Sequence, residues 1–279
     1  MEYLLVLLQI EYNTLLSNFI LSTFLAAIVA FISFKFKFLT VSGIIGAVVL
    51  SLIIFTFGTW KWTIPVFTFF FLSSLLSKVR EKRNTSVDTF FEKSGQRDYM
   101  QVFSNGGFAG LLVIINYFNP SELFYAAYVS SIAAVCSDTW ATEIGTMSHT
   151  KTYNILNFTK VEQGVSGGIS LPGLLGSCLG AIIIALSSLF WIEADSLVFI
   201  LLILLSGFSA SIIDSILGAS LQVQYRCADC GKITENKIHC GKPLKKIRGL
   251  SGLNNDFVNL VSGISGAVIG YTLTDLILY

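Results

Sequence analysis

The chain has 279 residues, 53% hydrophobic and only 13% charged, with a mean hydropathy of +0.72. Soluble domains carry about 25% charged residues, so composition excludes a soluble enzyme and predicts an all-α, polytopic transmembrane bundle. A net charge of +1 makes no case for a nucleic-acid partner, and five cysteines, three of them within residues 227–240, do not form a secreted disulfide scaffold.

A helical span takes about 20 apolar residues, or roughly 17 at the short end. In chain order, runs near that length lie at 15–34, 43–59, 63–77, 100–118, 123–137, 168–191, 197–215 and 257–278, giving about eight spans. Residues 1–9 are apolar but lack a basic flank and a clear small-residue cleavage site, so no cleavable signal peptide is expected. Trp60, Trp62 and Trp191 fall at predicted span ends, where interfacial aromatics belong. An even number of spans puts both termini on one side. Every Lys and Arg except Lys61 then falls on the opposite side, and loops rich in these residues stay cytosolic. The termini, with Glu2 and Glu11, are therefore expected outside, as are Lys61, Glu122, Glu193 and Asp195. The long loops 78–99, 145–167 and 222–255 are expected in the cytosol of a bacterial-type plasma membrane. The chain reads as one membrane domain, 1–279, with a Cys-containing basic loop at 222–255 inside it.

A short hairpin pattern recurs. Asn105-Gly106-Gly107 opens one hairpin and Asp138-Thr139 closes it; Gly167-Gly168 opens the next and Asp214-Ser215 closes it. An internal repeat and chance recurrence both account for so short a pattern.

The polar motifs cluster on the cytosolic side. In the segment 137–145, Asp138, Thr139, Thr142 and Glu143 crowd a helix end, with Asp138 and Thr142 four apart and so on one face. Ionisable groups at membrane depth are costly and usually functional, and Mg²⁺ takes one or two carboxylates beside phosphate and water. A carboxylate in the headgroup zone is the plainer alternative. Asp214 lies in an apolar run with almost no basic residue in the spans to pair it. Asp138, Glu143 and Asp214 are therefore expected to converge on one Mg²⁺–phosphate site. Asn105-Gly106-Gly107 and Gly167-Gly168 read as phosphate seats at helix starts, where free N–H groups and the dipole favour anions. Close helix packing through small residues is the competing explanation. Lys242 is a candidate phosphate contact, and Asn255 and Asp256 can ligate metal or orient a hydroxyl. Cys227-x-x-Cys230 resembles a zinc knuckle, with His239 and Cys240 following. Structural Zn²⁺ held by Cys227, Cys230 and Cys240, reduced thiols and a disulfide all remain open, because adjacent His239 and Cys240 need an unusual turn to share one ion.

Together, Asn105-Gly106-Gly107, the 137–145 motif, Gly167-Gly168-Ile169-Ser170, Asp214-Ser215 with Gly218-Ala219, and Gly241-Lys242-Pro243 with Asn254-Asn255-Asp256-Phe257-Val258-Asn259 resemble a family of integral membrane proteins, long of unknown function, that includes the plant phytyl-phosphate kinase. The resemblance runs from about residue 105 to the C-terminus and more loosely over the first three spans. It implies an enzyme converting an isoprenoid monophosphate to its diphosphate at the expense of a nucleoside triphosphate, with Asp138, Glu143 and Asp214 on Mg²⁺ and the Gly-Gly pairs and Lys242 on phosphates. Thr139, Thr142, Ser170 and Ser215, inside the matching motifs, join the substrate-binding candidates. The partners implied are the bilayer, the isoprenoid phosphate and the nucleotide; the oligomeric state is not indicated. A carrier or flippase for polyprenyl phosphate, or for another lipid phosphate, is the second reading, since polar helix starts and hairpin repeats suit it too. Polar groups gathered at one face favour the enzyme.

Overall fold

The computed structural model describes every residue except Met1, Ser94, Ser148, Glu193, Ala194 and Tyr279, with side chains from Asn13 onward. Glu193 and the side chains of Glu2 and Glu11 thus lie outside the described part.

Among the described residues the helices are α1 (Glu2–Lys35), α2 (Val41–Arg83), α3 (Tyr99–Phe118), α4 (Glu122–Met147), α5 (Leu171–Ser188), α6 (Ser196–Ser220) and α7 (Asn255–Leu278). Five helical stretches, 13–35, Val41–Arg83, Leu171–Trp191, Ser196–Ser220 and Asn255–Leu278, are long and apolar enough to cross a membrane. The chain is a helical membrane bundle. Helices α3 and α4, expected as spans, fall outside that group, and they carry polar residues such as Asn105, Asp138, Thr142 and Glu143.

The run 41–83 is continuous in helical character, but Thr59 has φ 59° and ψ −155°. Contacts on either side show that the two arms run in opposite directions. The first arm follows α3: Thr40 N–H donates to Arg97 O at its start, and Phe57 meets Tyr117 at its end. The second follows α4 the other way, from Trp62 beside Tyr125 and Tyr128 to Asn84 on Thr146. Pro65 has no N–H for the Lys61 carbonyl four residues back, and the Tyr125 hydroxyl donates to that oxygen instead, at 3.1 Å. Lys61 Nζ reaches Glu122 at 2.8 Å, closing this end. Trp62, expected at an interface, is buried there against Tyr125 and Tyr128.

Helix α4 is the axis, with every residue from 125 to 137 buried. Its Ala and Ser side chains let neighbouring backbones come close, the way membrane helices associate without a hydrophobic drive. A Cβ on Gly180 of α5 would lie 2.9 Å from Cys136 O, and one on Gly266 of α7 2.6 Å from the Ala134 Cβ.

The expectation of a purely helical chain is corrected at one end. Strands β1 (Thr152–Asn154), β2 (Lys160–Val161) and β3 (Gly168–Ile169) form a sheet in the order β2-β1-β3. Strands β4 (Gln224–Arg226), β5 (Ile233–Thr234) and β8 (Lys245–Arg248) form another in the order β5-β4-β8, and β6 (Ile238–His239) pairs with β7 (Lys242–Pro243). Segments this short and polar carry no hydrophobic period, so composition alone could not reveal them.

Gly180→Val should overpack the α4–α5 contact, at about 1–3 kcal/mol. A detergent melt is expected to show a lower Tm for Gly180→Val, while Leu179→Val, at a 51% exposed neighbour, stays near wild type.

Candidate active site

The ends of α2, α4 and α6 and the starts of α3, α5 and α7 surround a cavity of about 220 Å³, floored by helices and covered by the loops of the stranded end. Helices α4 and α6 meet where a Cβ on Gly207 would lie 3.0 Å from Ser137 Oγ. One residue past Ser137 is Asp138; two turns past Gly207 is Asp214. The close approach therefore delivers both carboxylates to the same cavity wall. Asp214 is only 8% exposed, and among the described residues no donor reaches its Oδ2. Two carboxylates on one wall repel when both are ionised, a charge that a bound cation would compensate.

Glu143, expected as a third ligand, turns elsewhere. It accepts from Ser77 Oγ at 2.6 Å and Arg80 Nε at 2.9 Å. Among the described residues it does not form a tight three-carboxylate cluster with Asp138 and Asp214, although all three line the cavity. Arg80 supplies the reason. Helix α2 runs past the predicted span end at 77 to Arg83, which buries Arg80 to 4% exposure between Glu143 and Asp88. The span edge expected at 77, with 78–99 read as loop, is thereby corrected: α2 carries Arg80 into the cavity wall. Removing one member of such a pair strands the other's charge.

Two further cations line the cavity. Lys93 Nζ bridges Asp256 at 2.5 Å, in the first turn of α7, and Asp98 at 2.9 Å, the N-cap of α3. Burial works against the Lys93 charge, but these two ion pairs outweigh it and raise its pKa. Arg97 places Nη2 3.5 Å from Ser77 Oγ, with its guanidinium carbon 5.9 Å from the Phe69 ring centre. Among the described residues no carboxylate lies within ion-pair distance of Arg97, which leaves it suited to an anionic ligand.

Asn105, Thr139, Thr142, Gly167, Gly168, Ser170, Ser215, Asn255 and Asp256 also line the cavity. Gly106 and Gly107 do not. Helix α3 starts at Tyr99 under its Asp98 cap, so these glycines lie inside it, and a Cβ on Gly106 would sit 2.5 Å from Leu50. They serve packing, not a helix-start phosphate seat. Gly168 belongs to β3, and α5 starts later, at Leu171, under a Ser170 Oγ cap on Gly173 N–H at 3.3 Å. Lys242 is likewise absent from the lining. It lies in the β6–β7 hairpin with its side chain 68% exposed, paired with Asp229 at 3.0 Å.

Glu235, like Arg80, Lys93 and Arg97, is a cavity residue that sequence reasoning missed; nothing marks a lone Glu in a polar loop. It reaches in from the Cys-containing loop, 7% exposed, accepting from Ser166 Oγ at 2.6 Å and from Glu92 N–H at 3.4 Å. Burial pushes its pKa up to about 7, against the lowering effect of those hydrogen bonds.

Fold and site together define a helical integral membrane protein with a charged, partly enclosed cavity at one end. The family profile for Integral membrane protein DUF92 matches residues 24–267, and the chain belongs to that family. Its relatives include Protein PGR of Arabidopsis thaliana, 32% identical over 270 residues, covering 87% of this chain and 91% of that one. An uncharacterized membrane protein of Methanocaldococcus jannaschii is 27% identical, covering 94% and 97%. Protein VTE6, chloroplastic, of Arabidopsis thaliana is 24% identical, covering 80% of this chain and 64% of that one. No solved structure matches the chain.

Glu235 generates a pH test. With a folded pKa near 7 against an ordinary 4.5, the folded state holds a proton that the unfolded chain has released. Its stabilisation is full below about pH 4.5 and is lost as pH rises to about 7, on the order of 3 kcal/mol in all. Melts across that window should show wild type losing Tm relative to Glu235→Gln, with parallel curves above it. Parallel curves throughout would contradict the assignment.

Proposed function

We propose that this protein is a membrane phosphotransferase that converts an isoprenoid monophosphate of phytyl or prenyl type to its diphosphate, using a nucleoside triphosphate and Mg²⁺ at the cytosolic face. One observation carries the reading: partly buried Asp138 and buried Asp214, whose Oδ2 meets no donor among the described residues, share a cavity with Arg80, Lys93 and Arg97. Family membership supports it, through the resemblance to phytyl-phosphate kinase drawn from the motifs.

The antiparallel arms of α2 support eight crossings. In this reading residues 84–93, 95–98, 149–170 and 221–254 lie at one end and 119–121 at the other. All basic residues but Lys61 then share the loop-rich end, which supports a cytosolic cavity, external termini and a bacterial-type plasma membrane.

The chemistry asks for positioning more than for a covalent residue. An acceptor phosphate oxygen attacks the γ-phosphorus, the bond from that phosphorus to the β–γ bridging oxygen breaks, and nucleoside diphosphate departs. The acceptor oxygen is already anionic near neutral pH, so no strong base is needed. The Asp138–Asp214 pair fits Mg²⁺, which takes one or two carboxylates and completes its shell with phosphate and water; bound there, it would neutralise charge on the phosphates. Arg97, with no carboxylate at ion-pair distance among the described residues, contacts a phosphate. Arg80, locked by Glu143 and Asp88, and Lys93, locked by Asp98 and Asp256, set the positive field without collapsing onto the aspartates. Thr139, Thr142, Asn105 and Asn255 offer hydrogen bonds to phosphate oxygens. A 220 Å³ cavity is below the roughly 300–1,000 Å³ of pockets that enclose drug-sized ligands. It therefore takes the reacting phosphates, while the tail lies along the apolar helix surface.

The carrier reading needs a polar path across the bundle. Beyond Asp138 the axis is filled by Tyr125, Tyr128, Ile132 and Trp62, all buried, which favours the enzyme.

Purified protein given labelled CTP or ATP and a panel of prenyl monophosphates should yield diphosphate; no product with any pair counts against the proposal. Asp138→Asn and Asp214→Asn should each lower turnover at least about 100-fold, a loss on the order of 2.7 kcal/mol. Their metal-free Tm should equal or exceed wild type, because each change relieves carboxylate repulsion. Full turnover in Asp138→Asn would remove the metal role. Single-cysteine reporters at exposed positions in 222–254 should resist membrane-impermeant labelling of intact cells; labelling from outside reverses the topology.

A further inference from the structure

We infer that Cys227, Cys230, His239 and Cys240 form a four-ligand structural Zn²⁺ site that staples residues 222–254 and so holds Glu235 over the cavity. The site is separate from the proposed phosphate chemistry. Among the described residues, this is the group whose His, Cys, Asp or Glu ligand atoms all lie within 4.8 Å of one another. Cys230 Sγ is 3.6 Å and Cys240 Sγ 3.1 Å from His239 Nδ1. With Zn–S near 2.3 Å and Zn–N near 2.0–2.1 Å, a tetrahedral ion places its ligands roughly 3.5–3.8 Å apart, so little movement closes the shell. All three cysteines are free.

The backbone explains how adjacent residues can both serve. Strands β6 and β7 pair His239 with Lys242, which leaves Cys240-Gly241 as a two-residue turn with φ 50° and 72°. That is the positive-φ pair of a type I′ hairpin, a turn that prefers Asn or Asp followed by Gly. Cysteine in the first place is poor turn chemistry, and bringing Sγ beside His239 Nδ1 accounts for it. On the other side, Gly231 N–H donates to Cys227 O at 2.9 Å, folding the Cys-x-x-Cys turn so that both thiols face the same point.

The segment needs a staple. Its strands are two to four residues long, and most of its side chains from Arg226 to Leu250 are exposed or only partly buried. Without an apolar core, a metal is the ordinary way to fix so small a unit. What it fixes lies between the second and third ligands. Thr234 Oγ1 donates to Thr89 O at 2.8 Å, Asn236 Nδ2 to Phe91 O at 2.9 Å, and Glu235 receives Ser166 Oγ at 2.6 Å. The knuckle thus clamps residues 89–92 and sets the cavity rim. A Cys₃His donor set suits Zn²⁺.

The test uses the full chain, purified in detergent without chelator. Elemental analysis should find about one Zn²⁺ per chain, and X-ray absorption should report three sulfur ligands and one nitrogen. Cys230→Ser should lose the zinc, while Cys136→Ser and Cys178→Ser, at cysteines far from the loop, keep it. His239→Cys guards against a folding failure: it should retain one Zn²⁺ with a four-sulfur shell. Stripping zinc should speed proteolysis within 222–254 at least tenfold and leave the helices intact. Zinc absent from the wild type, zinc unchanged in Cys230→Ser, or an intact-mass loss of two hydrogens from a disulfide would each overturn the site. Unchanged proteolysis after stripping would overturn the staple.

Discussion

Two aspartates face each other at the crossing of α4 and α6, and the rest of the site is arranged around the difficulty this creates. Charges brought out of water are expensive, and like charges side by side more so. Three cations stand nearby, yet among the described residues none forms an ion pair with Asp138 or Asp214. Arg80 is held by Glu143 and Asp88, Lys93 by Asp98 and Asp256, and among the described residues no carboxylate lies within ion-pair distance of Arg97. A site built for stability alone would have let one of these cations reach the aspartates. Keeping them apart leaves a negative pair beside positive groups, the arrangement that a divalent cation with phosphates can fill from both sides.

The architecture serves that arrangement. Helix α4 is buried all round over 125–137 and then opens, so its last three turns become cavity wall. The far end is closed by aromatic packing, by Lys61–Glu122, and by the use of the Lys61 carbonyl that Pro65 leaves vacant. Rigid packing at one end and charged loops at the other suit a bundle that holds substrates at one face.

Much of this was legible in the sequence, for identifiable reasons. Apolar runs marked the helices, and the charge partition marked the loop-rich end. The reversal at Thr59 showed as Trp60-Lys61-Trp62, an interruption in hydropathy. Asp138 and Asp214 stood out because carboxylates in apolar runs demand explanation. Other features were invisible because they are tertiary. Arg80 looked like part of a solvated charge run until α2 proved to extend past Ser77. Gly106-Gly107 looked like a helix start, but the cap is Asp98, and the capping box with Gln101 was the overlooked signal. Lys242 carries a motif position yet faces solvent, while Glu235, in no motif, reaches the cavity. The partnership of His239 with Cys240 depends on a two-residue turn that spacing alone argued against.

The central claim is that the aspartate pair gathers a divalent cation and phosphate in one place. Mn²⁺ bound to the purified protein with a non-hydrolysable nucleotide, read by electron–nuclear double resonance, tests it most directly. The account predicts one tightly held Mn²⁺ coupled to ³¹P in the wild type, with that coupling lost in Asp214→Asn and kept in the distant Cys178→Ser. Tight Mn²⁺ binding and ³¹P coupling that persist unchanged in Asp214→Asn, or a wild type that holds no Mn²⁺ with nucleotide, would contradict it.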